Sequence, residues 1–143
     1  DASGNATWRD TSRYFASGSL NNASVTASTT MVRMGDYLTF VKASAESTVE
    51  VTLNTRAGSG TFSGASGVTF QVRIDSVATA LHNEATITTS NIVEFIGIFA
   101  VFQGLSAASH TVSVWVRTNA GLSSAIILDP GGWGGRIVVK ETF

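Results

Sequence analysis

The sequence predicts an all-β fold, an antiparallel β-sandwich, from three observations. Short stretches rich in Val, Ile, Thr and aromatic residues recur about every ten to twenty residues, bounded by Gly, Asn or Ser. In several of them apolar and polar residues alternate, as in Val49-Glu-Val-Thr-Leu53, which gives a strand one buried and one solvated face. No stretch combines helical periodicity with end caps. We therefore expect very little helix.

Size and composition indicate one domain. A chain of 143 residues is long enough for one ordinary hydrophobic core, and without cysteine it has neither disulfides nor a thiolate metal site. Charged residues make up 13% of the chain, about half the usual share. This suits either an exposed surface that stays soluble without many ions or a surface partly covered by copies of the same chain. We assign residues 1–22 to an N-terminal arm and 23–143 to the sandwich. The start, Asp1-Ala-Ser-Gly4, is that of a processed protein or an excised domain.

The strands are expected in chain order, about seven or eight in total. Two turn-rich segments separate them: a Gly/Ser-rich surface loop at 56–67, and a turn at 129–135 that contains Pro130. The predicted strands are 23–32 and 37–42, joined near Gly35-Asp36, followed by 49–53, 70–74, 92–102, 112–116 and 137–140.

The segment 92–102 is apolar on both sides of the strand. Odd positions carry one apolar set and even positions another: Val93, Phe95, Phe99 and Val101 against Ile92, Ile96, Ile98 and Phe102. Such a strand is either covered twice within the domain, or packs on the core with one face and on a neighbouring subunit with the other. Trp115 alternates away from the Val112 face, as either a second-face core residue or an interface anchor. The candidate interface residues are therefore Phe95, Phe99, Phe102 and Trp115.

Two segments resemble a known family. Gly104-Leu-Ser-Ala-Ala-Ser-His-Thr-Val-Ser-Val-Trp-Val-Arg117, and a Gly-rich turn followed by Arg136-Ile-Val-Val-Lys-Glu141, resemble the C1q/TNF-like jelly-roll modules common in phage tail and fibre proteins. The order of strands before them, from Val49 onward, is similar as well. The whole resemblance covers roughly residues 25–143. The segment Trp8 to Phe15 departs from the pattern and is interpreted as an arm that contacts a neighbour.

The resemblance implies an antiparallel jelly roll that forms a tight homotrimer, with aromatics of the inner strands meeting at the threefold axis. It also implies a role in trimerisation or in binding a host surface. The family occurs in bacterial surface proteins too. A virion origin is therefore a second inference, which depends on the first one, that the chain resembles this family.

Enzymatic chemistry is not expected. The chain has two histidines and no nucleophile elbow, phosphate loop or zinc-protease motif. We interpret His110 as fixing a hairpin by a hydrogen bond to the backbone, and His82 as a loop residue. The acids are too scattered to indicate a glycosidase pair. Asp129 could help to ligate calcium, but Asp-Pro-Gly is ordinary turn chemistry. We predict no cofactor, no metal site and no catalytic residue.

Trp133 is the best candidate for a ligand contact. An exposed indole offers a flat apolar face to a pyranose ring, and this one is flanked by glycines on both sides. Packing of its ring on a partner or on the core is the alternative. Tyr14 and Trp8 are weaker candidates, since an arm could tuck them against a subunit.

These observations favour a homotrimeric structural or adhesive module of a virion, in a tail fibre or a receptor-binding position, located on the virion or an extracellular surface. The partners would be other virion proteins or a host-surface glycan. With a net charge of −1 and scattered basic residues, nucleic acid is not expected, and no apolar run is long enough for membrane insertion. A capsid decoration protein and a carbohydrate-binding module of a secreted enzyme are the alternatives, and oligomeric state separates the last from the rest.

Overall fold

The computed structural model describes residues 12–17, 20, 23–26, 28–59, 67–78, 80–89, 92–118 and 126–143. Within these ranges the chain forms ten strands and no helix, so none of the described residues belongs to a helix that could cross a membrane. The strands are β1 (Ser12–Ser17), β2 (Ser24–Val25), β3 (Val32–Val41), β4 (Thr48–Gly58), β5 (Val68–Ile74), β6 (Glu84–Ile87), β7 (Val93–Phe102), β8 (Ser109–Thr118), β9 (Ile126–Leu128) and β10 (Arg136–Thr142).

The strands form two antiparallel sheets that pack face to face. Sheet A has the order β1-β10-β4-β9-β2, and β7 also pairs with β4. Sheet B has the order β3-β8-β5-β6. Because the chain alternates between the two sheets, its long strands have the interleaved connections of a jelly roll. The predicted all-β antiparallel sandwich is confirmed.

The core lies between the sheets and follows the alternation seen in the sequence. Val49, Val51 and Leu53 of β4 are buried, while the residues between them are not fully buried. Val112, Val114 and Val116 of β8 face them from sheet B and are equally buried. Burying branched apolar side chains from both sheets in one continuous cluster supplies the main driving force for folding.

The boundary between arm and sandwich differs from the prediction at residue 22. Strand β1 pairs with β10 along its whole length, from Ser12 opposite Thr142 to Ser17 opposite Ile137, and Leu20 is completely buried. Residues 12–17 and Leu20 therefore belong to the sandwich, because they supply backbone hydrogen bonds to sheet A and a side chain to the core. Residues 1–11 lie outside the described part of the chain.

The turn predicted at Gly35-Asp36 is wrong. Strand β3 runs through this dipeptide and pairs with β8 from Val32 to Val41, with register shifts between Arg33 and Gly35 and between Asp36 and Leu38. Each shift is a β-bulge, which accommodates an extra residue in one strand without ending the pairing. The strand predicted at 23–32 is correspondingly reduced to the short β2, and the loop predicted from Arg56 begins later because β4 continues to Gly58.

Candidate functional site

The outer face of sheet B is polar, and its side chains bond to each other. Gln71 donates to Glu84 at 2.8 Å, Arg73 donates to Gln71 at 2.5 Å, and threonine hydroxyls pair across strands, as between Thr69 and Thr86 at 3.1 Å. Side chains satisfied in this way keep a sheet face stable in water. We expect this face to remain solvated.

The outer face of sheet A carries several exposed apolar side chains beside polar ones. Strands β1, β10 and β7 contribute to what we call the apolar face: Tyr14 and Ala16 of β1, the half-buried Val138 of β10, and Val93, Phe95 and Phe99 of β7. Phe95 is 76% exposed and Phe99 50%. A contiguous exposed apolar surface of this kind marks an interaction site in soluble proteins.

Strand register sets the centre of the apolar face. Thr52 of β4 lies opposite Val138 on one side and Phe99 on the other, and Val138 lies opposite Ala16. Side chains directly opposite each other in an antiparallel pair are within contact distance, so these four residues form one row across four strands. In the neighbouring row of the same face, Lys140 and Glu50 form an ion pair at 3.5 Å. Their opposite charges cancel, so this pair adds no net charge to the face.

The four candidate interface residues do not share one surface. Phe95 and Phe99 lie on the apolar face, as proposed from the sequence. Phe102 does not: its ring is 2% exposed and lies in the core, because even positions of β7 point between the sheets. Trp115 is on the outer face of sheet B, beneath the guanidinium of Arg73 at 4.3 Å, and donates to the Ser113 hydroxyl at 2.9 Å. Its neighbours there are polar.

A pocket adjoins the apolar face where the turn between β9 and β10 passes over β4. The guanidinium of Arg56 lies 4.9 Å from the ring centre of Phe95 and 4.8 Å from that of Trp133. The pocket between these groups has a volume of about 290 Å³. Arg136 and Asp129 also line it, so aromatic, cationic and carboxylate groups converge on one small space.

The turn beside this pocket is held by close packing at its end. Gly135 lies so near Thr55 and Leu20 that a β-carbon there would come within 2.4 Å of the Thr55 hydroxyl. At its start, Asp129 adopts a left-handed conformation with φ of 52° and is 1% exposed. Neither of its carboxylate oxygens has a hydrogen-bond partner among the described residues, which is costly for a buried acid.

The ligand-contact candidates are placed differently from one another. Trp133 is 72% exposed and is joined to the sandwich surface by the Arg56 contact. Tyr14 is exposed on the apolar face, opposite Lys140, away from the Trp133 pocket. Trp8 lies outside the described residues. The sequence pattern did not predict that Trp133 and Phe95 lie close together. It also gave no indication of Arg56, which contacts both rings.

Comparison with known proteins supports the fold. Among the solved structures that the chain resembles is the tripod (BppUct-A-L) from the baseplate of bacteriophage Tuc2009. The TM-score is 0.52 at 19% sequence identity, over 97% of this chain and 69% of that chain. At this identity the likeness concerns the fold. No family model matches the sequence, and no curated protein matches it, so the C1q/TNF-like resemblance stays a prediction.

The two histidines lie in different surroundings. His110 is buried in β8, where its Nε2 lies 2.9 Å from the Ser106 carbonyl and its Nδ1 lies 2.6 Å from Asp75. The backbone contact agrees with the role predicted for it. Burial opposes ionisation of Asp75, but hydrogen bonds from His110 and from the Thr111 amide outweigh it and lower the pKa of that carboxyl. His82 is exposed in a left-handed conformation with φ of 57°. The described residues contain no cluster of three or more metal-ligating side chains.

A buried carboxylate that the sequence analysis missed fixes one end of the sandwich. Glu141 is fully buried in β10 and accepts hydrogen bonds from the Ala43 amide at 2.9 Å, the Ser44 amide at 3.2 Å and the Ser47 hydroxyl at 2.6 Å. Burial alone would raise its pKa, but these donors and the charge of Arg13 lower it. The signal was present: alternation places Glu141 on the same side as Ile137 and Val139, which face inward.

Proposed function

We propose that this chain is a non-enzymatic structural module of a phage virion, which assembles into a homotrimer through its apolar face. The observation that carries the proposal is the contrast between the two outer faces: one carries hydrogen-bonded polar side chains, whereas the other also exposes aromatic and aliphatic ones. The fold likeness to a baseplate tripod supports a virion setting. The family resemblance in the sequence supports three copies.

A second copy of the same chain is a suitable occupant of the apolar face. Its central row consists of Ala16, Val138, Thr52 and Phe99, none of which is charged. The adjoining Glu50 and Lys140 neutralise each other on one side, and Arg136 borders the row on the other. The proposed contact is therefore centred on the uncharged row, with charged side chains at its rim. A stable interface buries about 800 Å² on each partner, so the proposed contact has to extend over several neighbouring strands of sheet A.

The proposed position in the particle is the tail or baseplate, where a trimeric module would contact other virion proteins and present its remaining surface to the host. A catalytic role is not part of the proposal. His110 is engaged on both ring nitrogens.

The test is the native mass of the wild-type chain and of two matched variants, by size exclusion with light scattering. We expect wild type to have the mass of three 14.9-kDa chains. Phe99→Glu should reduce this to one chain, since it places one carboxylate per subunit in the apolar contact at a cost of about 3–5 kcal/mol each. Val41→Glu is the control, because Val41 is 57% exposed but belongs to sheet B. It should remain a trimer.

Three outcomes would contradict the proposal. A wild-type mass of one chain would show that the protein does not form a trimer. A Phe99→Glu protein that is still trimeric would show that the apolar face is not the interface. Loss of the trimer in both variants indicates a general sensitivity to added charge rather than a specific surface. Circular dichroism should show that all three proteins keep the same β content.

A further inference from the structure

The pocket between Phe95 and Trp133 has the groups of a ligand site rather than of a packed surface. A ring that only fills a gap is buried by its neighbours, whereas the Trp133 ring, which lies outside the apolar face, stays 72% exposed. Arg56 lies between Trp133 and Phe95 of the apolar face and covers part of the indole, which limits its motion and leaves the rest of that ring open. A fixed, exposed aromatic ring is a platform for the apolar side of a sugar.

Charge in the pocket selects among sugars. Arg56 and Arg136 both line it, and neither forms an ion pair with any residue that the structure describes. Asp129 is the one acidic group in the lining, so the lining carries one excess positive formal charge. A guanidinium stacked on an aromatic ring keeps its N–H edges free to bind a carboxylate or a phosphate. The pocket therefore complements a ligand with one negative charge.

Asp129 supplies the second, independent indication of a ligand. Its carboxylate is buried and has no donor among the described residues, although a buried acceptor normally has one. Sugar hydroxyls are donors. Gly131, Gly132 and Gly134, all with positive φ, lie in the turn that follows Asp129, and a small shift of this turn would let a hydroxyl reach the carboxylate.

We propose that this pocket binds one pyranose ring of an acidic saccharide, stacked on Trp133, with its anionic group against the guanidiniums of Arg56 and Arg136. The volume of about 290 Å³ is at the lower limit of small-molecule sites and accommodates a single ring. A divalent cation is less suited, because two guanidiniums would repel it. The binding does not require the trimer; only its use as a receptor contact rests on the proposed virion function.

The experiment is calorimetric titration of the wild-type chain with glucuronic acid, glucose 6-phosphate and glucose. The first two distinguish a carboxylate from a phosphate as the anionic group, and glucose is the neutral reference. We expect at least one anionic sugar to bind about tenfold more tightly than glucose, the difference between a charge-assisted and a neutral hydrogen bond. The preference should shrink as salt is raised.

Three variants locate the binding. Trp133→Ala should weaken the binding of every sugar about tenfold or more, and Arg136→Gln should mainly reduce the preference for the anionic sugars. Trp115→Ala is the matched control, because it removes another tryptophan stacked under an arginine, but on sheet B. It should bind as wild type does.

The inference is overturned if the anionic sugars bind no better than glucose, if none binds saturably, or if Trp133→Ala and Trp115→Ala behave alike. Stabilisation of the wild-type chain by calcium, lost in Asp129→Asn, would assign the pocket to a cation and overturn it as well. The two proposals fail separately. A trimer that binds no acidic sugar contradicts only the pocket, whereas a wild-type monomer that binds one contradicts only the assembly.

Discussion

Replacing Gly135 by alanine tests how the turn that carries Trp133 is attached to the sandwich. The added β-carbon would lie 2.4 Å from the Thr55 hydroxyl oxygen and 2.8 Å from a methyl group of Leu20. Neither neighbour can swing into solvent, since Thr55 and Leu20 are both buried. The clash can be relieved only by moving the turn away from β4 or by distorting the core.

The expected loss is at the upper end of the overpacking range, about 3 kcal/mol of unfolding free energy. For a chain of this length that corresponds to a fall in melting temperature of roughly 9 °C, at about 3 °C per kcal/mol. Gly58→Ala is the matched control. Gly58 is also buried and has no positive φ, but its added β-carbon would meet nothing closer than 3.7 Å, so the change in free energy should stay within about 1 kcal/mol.

The assay is thermal unfolding followed by circular dichroism, with both substitutions made in the Phe99→Glu background. This background removes the dependence of the melting temperature on protein concentration that a trimer would introduce. Equal melting temperatures for the Gly135→Ala and Gly58→Ala proteins would refute the reasoning, because they would mean that the turn is not packed against Thr55 and Leu20 in solution.

Two further predictions concern the core and the buried acid. In the Phe99→Glu background, in which no second copy covers Phe95, Phe102→Ala should lower the free energy of unfolding in urea by about 3–5 kcal/mol, whereas Phe95→Ala, on the exposed side of the same strand, should lower it by at most about 1 kcal/mol. Equal losses would contradict the assignment of the two sides of β7. Because the folded protein lowers the pKa of Glu141 from 4.5, the stability that its ionised form contributes is present above pH 4.5 and is lost as the pH falls through the folded-state pKa. Glu141→Gln should therefore cost about 1–3 kcal/mol at pH 7 and flatten the pH dependence of stability below 4.5. Parallel stability curves for variant and wild type would rule this out.

The strands that alternate regularly were predictable because a half-buried strand has a period of two. This rule placed Val72 and Val114 in the core and Trp115 on the other side of its strand. It also showed that β7 is apolar on both sides, but not which side belongs to the core. That choice depends on the partner strand, β4, whose own buried face fixes the orientation of β7.

The errors come from signals that have more than one structural meaning. Gly35-Asp36 has the composition of a turn, yet the same residues accommodate a bulge inside a continuous strand. The N-terminal segment was set apart because Trp8 to Phe15 departs from the pattern of the family that the chain resembles. Its place in sheet A is decided by β10, a strand more than a hundred residues later in the sequence, and no local pattern carries that information.

The pocket could be predicted only in part. Trp133 stood out because an indole among glycines is unusual, but Arg56 and Phe95 became relevant only through the pairing of β4 with β7, which sets them opposite each other. The absence of a hydrogen-bond partner for the Asp129 carboxylate among the described residues could not be predicted from the sequence either. A turn that contains Asp-Pro-Gly does not reveal whether its aspartate faces solvent or lies beneath the turn.

The position of β10 has a consequence for synthesis on the ribosome. This strand lies between β1 and β4 in sheet A, so β1 has no hydrogen-bonding neighbour in the sheet until residues 136–142 have left the exit tunnel. During that interval the apolar side chains of β4 and β7 are already made but incompletely covered, and incompletely paired strands of this kind are prone to aggregate. A nascent chain stalled before residue 136 should therefore be captured by chaperones or cleaved by proteases, whereas one stalled beyond a linker after residue 143 should resist both.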